Sequence, residues 1–249
     1  MNLQNKSCLI TGGTKGIGAA TAVEFAQLGA NVAITGRRDD DDAKKALAAI
    51  RATGRKGELI VGDIAKPQAA EDAVKATIAK FGGIDVLVHS AGGLVAGGLL
   101  DVSPEEWHKG FDVHVHAVYY LCRAVVPHMK AKREGSIVLI SSSAGKRAIR
   151  TNVAYQTVKG ALPQLTRALA FELADFNIRV NCVAPGVIRT AFHDTMPPEV
   201  KENNLKNRIP LHREGTSEQV ASLIREMATN EYITGETFSI DGGLTMRIC

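Results

Sequence analysis

The sequence predicts a doubly wound, Rossmann-like α/β fold: one parallel seven-stranded sheet with helices on both faces. Two observations carry this. Short β-branched runs alternate with longer helical patterns from one end of the chain to the other. The runs are also apolar without alternation, as strands covered on both faces must be. In order, the runs lie at 7–11, 31–35, 57–61, 84–88, 136–140, 178–183 and 237–240. The helical patterns lie between them, near 17–28, 40–52, 67–80, 104–131, 153–174 and 217–228.

At 249 residues the chain is long enough for one large α/β domain with a filled core. It shows no internal repeat, low-complexity tract or linker, so residues 1–249 read as a single domain. Ser103-Pro104-Glu105-Glu106 is a clean helix start, with Ser as N-cap, Pro at the first position and acids in the first turn. Pro163 falls inside the helix at 153–174. It has no N–H to give the carbonyl of residue 159, so a local bend is expected there. The stretch from 189 to 216 has no obvious element and holds Pro197, Pro198 and Pro210. A segment of that length in a compact domain reads as a substrate lid.

The net charge of +4 is small for this size, and Lys/Arg are interspersed with Asp/Glu. No clustered basic face suggests nucleic acid. No apolar run approaches the ~18 residues that span a bilayer, and the first residues lack a signal peptide's apolar stretch. Cys8, Cys122, Cys182 and Cys249 are scattered and form no Cys-x-x-Cys pair. Disulfides and a metal site are therefore not expected, and a reducing cytoplasm is the expected setting.

The chemistry-bearing residues start with a pair. Tyr155 and Lys159 are four apart, one above the other on a helix face. A free tyrosine has a pKa of about 10 and is a poor acid or base at neutral pH. At about 5 Å and an effective dielectric near 20, an ammonium favours the phenolate by about 3 kcal/mol, roughly two pKa units. The same spacing also describes a solvated lysine beside a half-buried ring. The company of the pair decides between the two.

Thr11-Gly12-Gly13-Thr14-Lys15-Gly16-Ile17-Gly18 follows the first strand and opens the first helix. Glycines there allow a tight turn and close backbone approach, and the helix N-terminus offers free N–H groups to phosphate. The spacing departs from the common G-x-G-x-x-G, but the strand before and the helix after support a dinucleotide site. An acid at the tip of the second strand would bind the ribose hydroxyls of NAD. Here the strand ends Gly36-Arg37-Arg38. Gly36 leaves space, Arg37 can grip a 2′-phosphate bidentately, and Lys15 adds charge nearby. The other reading is two solvated arginines beside Asp39 to Asp42. The sequence favours NADP, with NAD less expected.

Taken together these motifs resemble the short-chain dehydrogenase/reductase family, in its single-domain form and over essentially the whole chain. Besides the glycine loop, Asp63-Ile64 after the third strand matches the family's adenine site. His89-Ser90-Ala91-Gly92 stands where the family usually has Asn-Asn-Ala-Gly. Ser142 precedes Tyr155 by 13 residues. Asn181-Cys182-Val183-Ala184-Pro185-Gly186, then Ile188-Arg189-Thr190, matches the segment that holds the nicotinamide carboxamide. Asp241-Gly242-Gly243 follows the last strand.

The resemblance implies roles. Tyr155 is the acid/base of a hydride transfer between NADP(H) and a carbonyl or secondary alcohol. Lys159 holds the nicotinamide ribose and lowers the tyrosine's pKa. Ser142 hydrogen-bonds the substrate oxygen. Alignment places His114 where the family's relay asparagine stands, so it either joins the proton relay or is a neutral packed ring. His89 and Ser90 replace side chains that tie strands together, so a structural change is expected there. The substrate pocket is expected along 93–99, 144–152, Val187 and 190–212, with Arg147, Arg150 and His193 as possible polar contacts or plain surface charge. The pattern is nearest to 3-oxoacyl-carrier-protein reductases and to sugar or polyol dehydrogenases. Lys130, Lys132 and Arg133 fit part of a carrier-protein dock, but Asp175-Phe176-Asn177 offers no second basic residue. A cofactor-binding regulatory protein without turnover is the competing reading. Family members pair through the long helices and the last strand, which implies a homotetramer or homodimer with a small-molecule substrate.

Overall fold

A computed structural model describes residues 1–190 and 196–246. Seven strands form one sheet: β1 (Ser7–Thr11), β2 (Asn31–Gly36), β3 (Gly57–Val61), β4 (Val86–His89), β5 (Gly135–Ile140), β6 (Ile178–Pro185) and β7 (Thr237–Ile240). All neighbours are parallel, in the order β3-β2-β1-β4-β5-β6-β7. The order reverses between β1 and β4. In an open α/β sheet that switch point, at the carboxyl ends of the strands, is where ligands bind.

The uninterrupted apolar runs are explained by what covers them. Leu9, Leu87, Ile137, Leu139 and Cys182 point to one face, under α3 (Pro67–Phe81), α5 (Ala117–Lys132) and α6 (Val153–Leu173). Their sequence neighbours Ile10, Val88, Val138, Ile140 and Val183 point to the other, under α1 (Gly16–Gln27) and α8 (Ser217–Thr229). Each strand thus feeds two cores with alternate residues. β3, at the sheet edge, has a partly exposed run, and α2 (Asp41–Ala52) covers one side of it.

Helix starts follow local chemistry. α4 (Pro104–Phe111) begins with a full capping box, Ser103 and Glu106 exchanging bonds, as its sequence suggested. α8 has a second box, Thr216 with Gln219, that the sequence reading passed over. α2 is capped by the Asp40 carboxylate, which accepts from the Ala43 N–H. Gly82 ends α3 in the left-handed conformation, φ 83°.

Two elements differ from expectation. The single helix expected over 104–131 is α4, then a π-helical turn at Asp112–His116, then α5. One extra residue is accommodated there, and a turn of that kind re-aims the side chains it carries. The 189–216 segment contains a short helix, α7 (Pro198–Asn203), followed by a second π-helical turn, Asn204–Arg208. Pro197 and Pro198 start α7, where a missing N–H does no harm. Helix α6 passes through Pro163 without interruption. Among the described residues no helix is long and apolar enough to cross a membrane, and no cluster of side chains could hold a metal ion.

Candidate active site

The turn between β1 and α1 is built by contacts that exclude side chains. Gly12 has φ 65°, and a Cβ there would lie 2.7 Å from the Ala91 Cα of the loop after β4. A Cβ on Gly18 would lie 2.3 Å from the Gly12 carbonyl, so α1 can close on the turn only with glycine at that position. The α1 N-cap, Lys15, makes no side-chain cap, and the first turn holds no acid. Its free N–H groups therefore keep a positive end for an anion.

A groove of about 900 Å³ runs from this turn along the switch point. Gly12, Thr14, Lys15, Gly16 and Ile17 line its middle, and Gly36, Arg37, Asp63 and Ile64 line the end beside β2 and β3. Ser90, Ala91 and Gly92 form its floor. Ser142, Tyr155, Lys159, His114, Pro185, Gly186, Ile188 and Thr190 close the far end. The basic end is exposed: Lys15 lies 3.8 Å from Asp42, with both side chains more than half in solvent.

The far end is largely buried and specifically bonded. Ser142 and Lys159 are buried. The Tyr155 hydroxyl shares a hydrogen bond with Ser142, and the Ser142 oxygen also accepts from the Ala144 N–H at 3.2 Å. The Lys159 Nζ donates to the Ile140 carbonyl at 2.7 Å and sits 5.8 Å from the Tyr155 ring centre. Burial pushes the Lys159 ammonium down to about 8, opposed weakly by Cys182.

Two histidines brace this corner. Carbonyls only accept, so His89 carries its proton on Nε2 and gives it to the Val113 carbonyl at 3.0 Å. Its Nδ1 then accepts from the Thr11 hydroxyl at 3.0 Å, and the same oxygen accepts from the Ala91 N–H. His89 thus ties β1, β4 and the π turn into one unit. By the same logic His114 donates from Nε2 to the Gly93 carbonyl at 2.9 Å. Its ring stands edge-on to Tyr155, centres 6.0 Å apart, and its buried Nδ1 has no hydrogen-bond partner among the described residues. A Cβ on Gly92 would lie 2.1 Å from the His114 ring. Burial, aided by the Lys159 charge, pushes His89 down to about 4 and His114 to about 2. Both are neutral at physiological pH.

Several sequence expectations need correction. The Tyr155 phenol stands above its ordinary pKa here. Burial raises it, and the group that opposes the rise is Ser142, while the lysine is turned to Ile140 and is itself short of solvent. Gly18 lies beneath the turn rather than on the groove, and Arg38 is exposed beside it, because successive residues at a strand tip point apart. Arg147 donates to the Thr245 carbonyl at 3.2 Å, so it fastens the C-terminal segment rather than facing the groove. His193 lies outside the described residues, as does Cys249. The groove also takes Lys66, Lys109 and Asp112, which the sequence reading missed. Lys66 is signalled only by following Asp63 at the same loop, and Lys109 and Asp112 only by lying five and two residues before His114.

Comparison with known proteins agrees with this fold. A family profile described as enoyl-(acyl carrier protein) reductase matches residues 12–245. The 3-oxoacyl-acyl-carrier-protein reductase FabG of Thermotoga maritima is 37% identical over 99% of this chain and 100% of its own. Dehydrogenase/reductase SDR family member 4 of Oryctolagus cuniculus is 36% identical over 99% of this chain and 96% of its own. A crystal structure of a short-chain type dehydrogenase/reductase from Mycobacterium marinum superposes with a TM-score of 0.90 at 31% identity, over 99% of this chain and 97% of that one. The fold and the site define a nicotinamide-dependent oxidoreductase of Rossmann type. The chain belongs to the short-chain dehydrogenase/reductase family.

Proposed function

We propose that this protein is an NADP(H)-dependent carbonyl reductase or alcohol dehydrogenase in which Tyr155 is the acid/base. The observation that carries this is the Tyr155 hydroxyl, bonded to Ser142 beside the Lys159 ammonium, at the closed end of a groove whose other end is basic.

The residues fit the cofactor. Gly12, Gly16 and the α1 N-terminus make a cradle, and it closes tightly because a Cβ on Gly12 would meet the Ala91 backbone. Gly36 and Arg37 replace an acid at the tip of β2 and suit a 2′-phosphate, with Lys15, Lys66 and Lys109 adding charge along the groove. Asp63 and Ile64 take the adenine. Ser90, Ala91 and Gly92 pass beneath, and Pro185, Gly186, Ile188 and Thr190 take the carboxamide. When bound, the cofactor supplies or receives the hydride.

The chain's own part is proton handling and orientation. Ser142 holds the substrate oxygen by a hydrogen bond that strengthens as charge develops there. Tyr155 gives that oxygen its proton. A phenol held above its ordinary pKa stays protonated at neutral pH, which suits it to act as the acid of a carbonyl reduction. Lys159 offers the balancing charge to the phenolate that forms beside it. His89 and His114 stay neutral and hold the π turn against the loop after β4.

A carrier-protein substrate is disfavoured by side chains already engaged. Lys130 lies over the Phe176 ring at 4.1 Å, Arg133 donates to the Asp175 carbonyl at 2.7 Å, and Lys132 is bonded to Asp85. The segment 189–216, with α7, serves as the substrate lid. Phe171, 91% exposed on α6, and Tyr119, 54% exposed on α5, support pairing through these helices into a homotetramer of a cytoplasmic enzyme. Absorbance at 340 nm with NADPH and NADH against ketones, sugars and acyl thioesters tests the reading. Turnover with NADPH that vanishes in Tyr155→Phe supports it. Tight NADPH binding with no turnover of any substrate favours a regulatory protein instead.

A further inference from the structure

Three consecutive residues at the end of β5 touch the reactive corner. Ile140 accepts from the Lys159 ammonium through its carbonyl, and Ser142 bonds Tyr155. Ser141, between them, has had no role so far. It is buried, and its own N–H is fixed by the Val183 carbonyl at 2.8 Å in the β5–β6 ladder. Its hydroxyl donates to the backbone carbonyl of Lys159 at 2.7 Å.

That carbonyl needs a donor for a reason written four residues further on. In an α-helix the N–H of residue 163 would bond it, and Pro163 has none. The backbone of Gly145 closes the site from the other side: a Cβ there would lie 2.6 Å from the Lys159 oxygen and 2.8 Å from the Ser141 Oγ. Water is thus kept from a buried acceptor that must be satisfied. α5 contains the opposite case. Pro127 frees the carbonyl of Arg123, but both residues are exposed, and solvent can serve that oxygen.

We propose that Ser141 is a positioning residue for Lys159, and that Pro163 creates the need for it. Side chain and backbone of Lys159 are then held by adjacent residues, the ammonium by Ile140 and the carbonyl by Ser141. The proline removes the helix's own claim on that carbonyl, so the lysine's turn is referenced to the sheet rather than to the helix. The reactive ammonium keeps its place relative to Ser142 because both hang from the same strand end.

This inference rests on the proposed function for its kinetic readout, so the test has a second readout independent of turnover. Ser141→Ala, Pro163→Ala, the double variant and Ser141→Thr are compared by kcat, by thermal midpoint, and by NMR titration of the Lys159 side chain in protein carrying labelled lysine. In the Pro163 background, Ser141→Ala lowers kcat by on the order of tenfold or more, as small displacements at a reacting centre do. It also raises the Lys159 titration from about 8 toward the ordinary 10.5 as the turn opens to water. Ser141→Thr, which keeps the hydroxyl, recovers most of the loss. In the Pro163→Ala background, where residue 163 regains its N–H, Ser141→Ala changes kcat less than about twofold and leaves the lysine's titration in place. Equal effects of Ser141→Ala in both backgrounds overturn the proposal. So does a lowered thermal midpoint with kcat and the lysine's titration unmoved, which makes Ser141 a packing residue only. A wild-type protein that turns over nothing defeats the proposed function, while the titration still decides the role of Ser141.

Discussion

The two ends of the groove are built on opposite principles. At the basic end, Lys15, Arg37 and Arg38 project into solvent from a strand tip and a turn, and Lys15 has only a loose ion pair with Asp42. At the reactive end, Ser142, Tyr155, Lys159, His89 and His114 are packed and bonded, and each titratable group among them is displaced from its ordinary pKa by burial. Charge in water is worth little per residue and is replaceable. A buried hydrogen-bonded group carries a large penalty when its partner is removed. On the proposed function, specificity for the cofactor would be spread over several weak contacts, while the chemistry would depend on a few that tolerate no change.

The sharpest way to break this contrast is at Tyr155. Tyr155→Phe should lower kcat by about a thousandfold, in the range of a lost general acid. NADPH affinity, followed by fluorescence titration, should stay within a few fold. Retained turnover would move the acid elsewhere.

The buried histidines come next. Each has an ordinary pKa of 6.5 and a folded value of about 4 or about 2. Below pH 6.5 the unfolded chain takes up protons that the folded rings refuse. Stability is thus full above that pH and falls as the pH drops toward the folded values. By pH 5 the loss relative to high pH is about 2 kcal/mol per ring, about thirtyfold in the folding constant. Urea unfolding at pH 7 and pH 5 should show it, and the double variant His89→Asn/His114→Asn should show a flatter dependence.

At the exposed end the effect is smaller. Arg37→Asp should reduce the preference for NADPH over NADH by about tenfold, the worth of one charge-assisted contact in solvent. An unchanged ratio would assign the preference to Lys15, Lys66 and Lys109. His114→Asn alone should change kcat at pH 7 by less than about threefold, since the ring acts as a neutral donor to Gly93. A tenfold loss would put His114 in the proton path.

The same contrast explains what could be read from the sequence. Strand boundaries and the turn after β1 are visible because apolar runs and glycines are demanded by contacts that any residue scan detects. Gly12 and Gly18 have no room for a Cβ, and Ser103 to Glu106 form a local cap. The direction of the Tyr155 shift was not visible, because it depends on where the Lys159 side chain goes, and the strand carbonyl that draws it lies 19 residues away in sequence. The π turn was invisible because α4 before it is eight residues long and buries only Gly110, too short to set a phase against which the shift could be seen. α7 is six residues long and starts with prolines, so it reads as a loop. Lys109 reaches the groove from the last turn of α4 and Asp112 from the start of the π turn.

The π turn at Asp112–His116 has a consequence for the phase of the whole helical stretch. Each residue of an α-helix rotates the next by about 100°. Deleting a single residue between 112 and 116 would restore a regular helix and swing one flank against the other by that angle. Either α4 would lose its place over the cofactor groove or α5 would lift its buried face, Val118, Leu121 and Val125, out of the core. The surplus residue thus works as a phase shifter, letting one continuous rod serve two surfaces that are out of step.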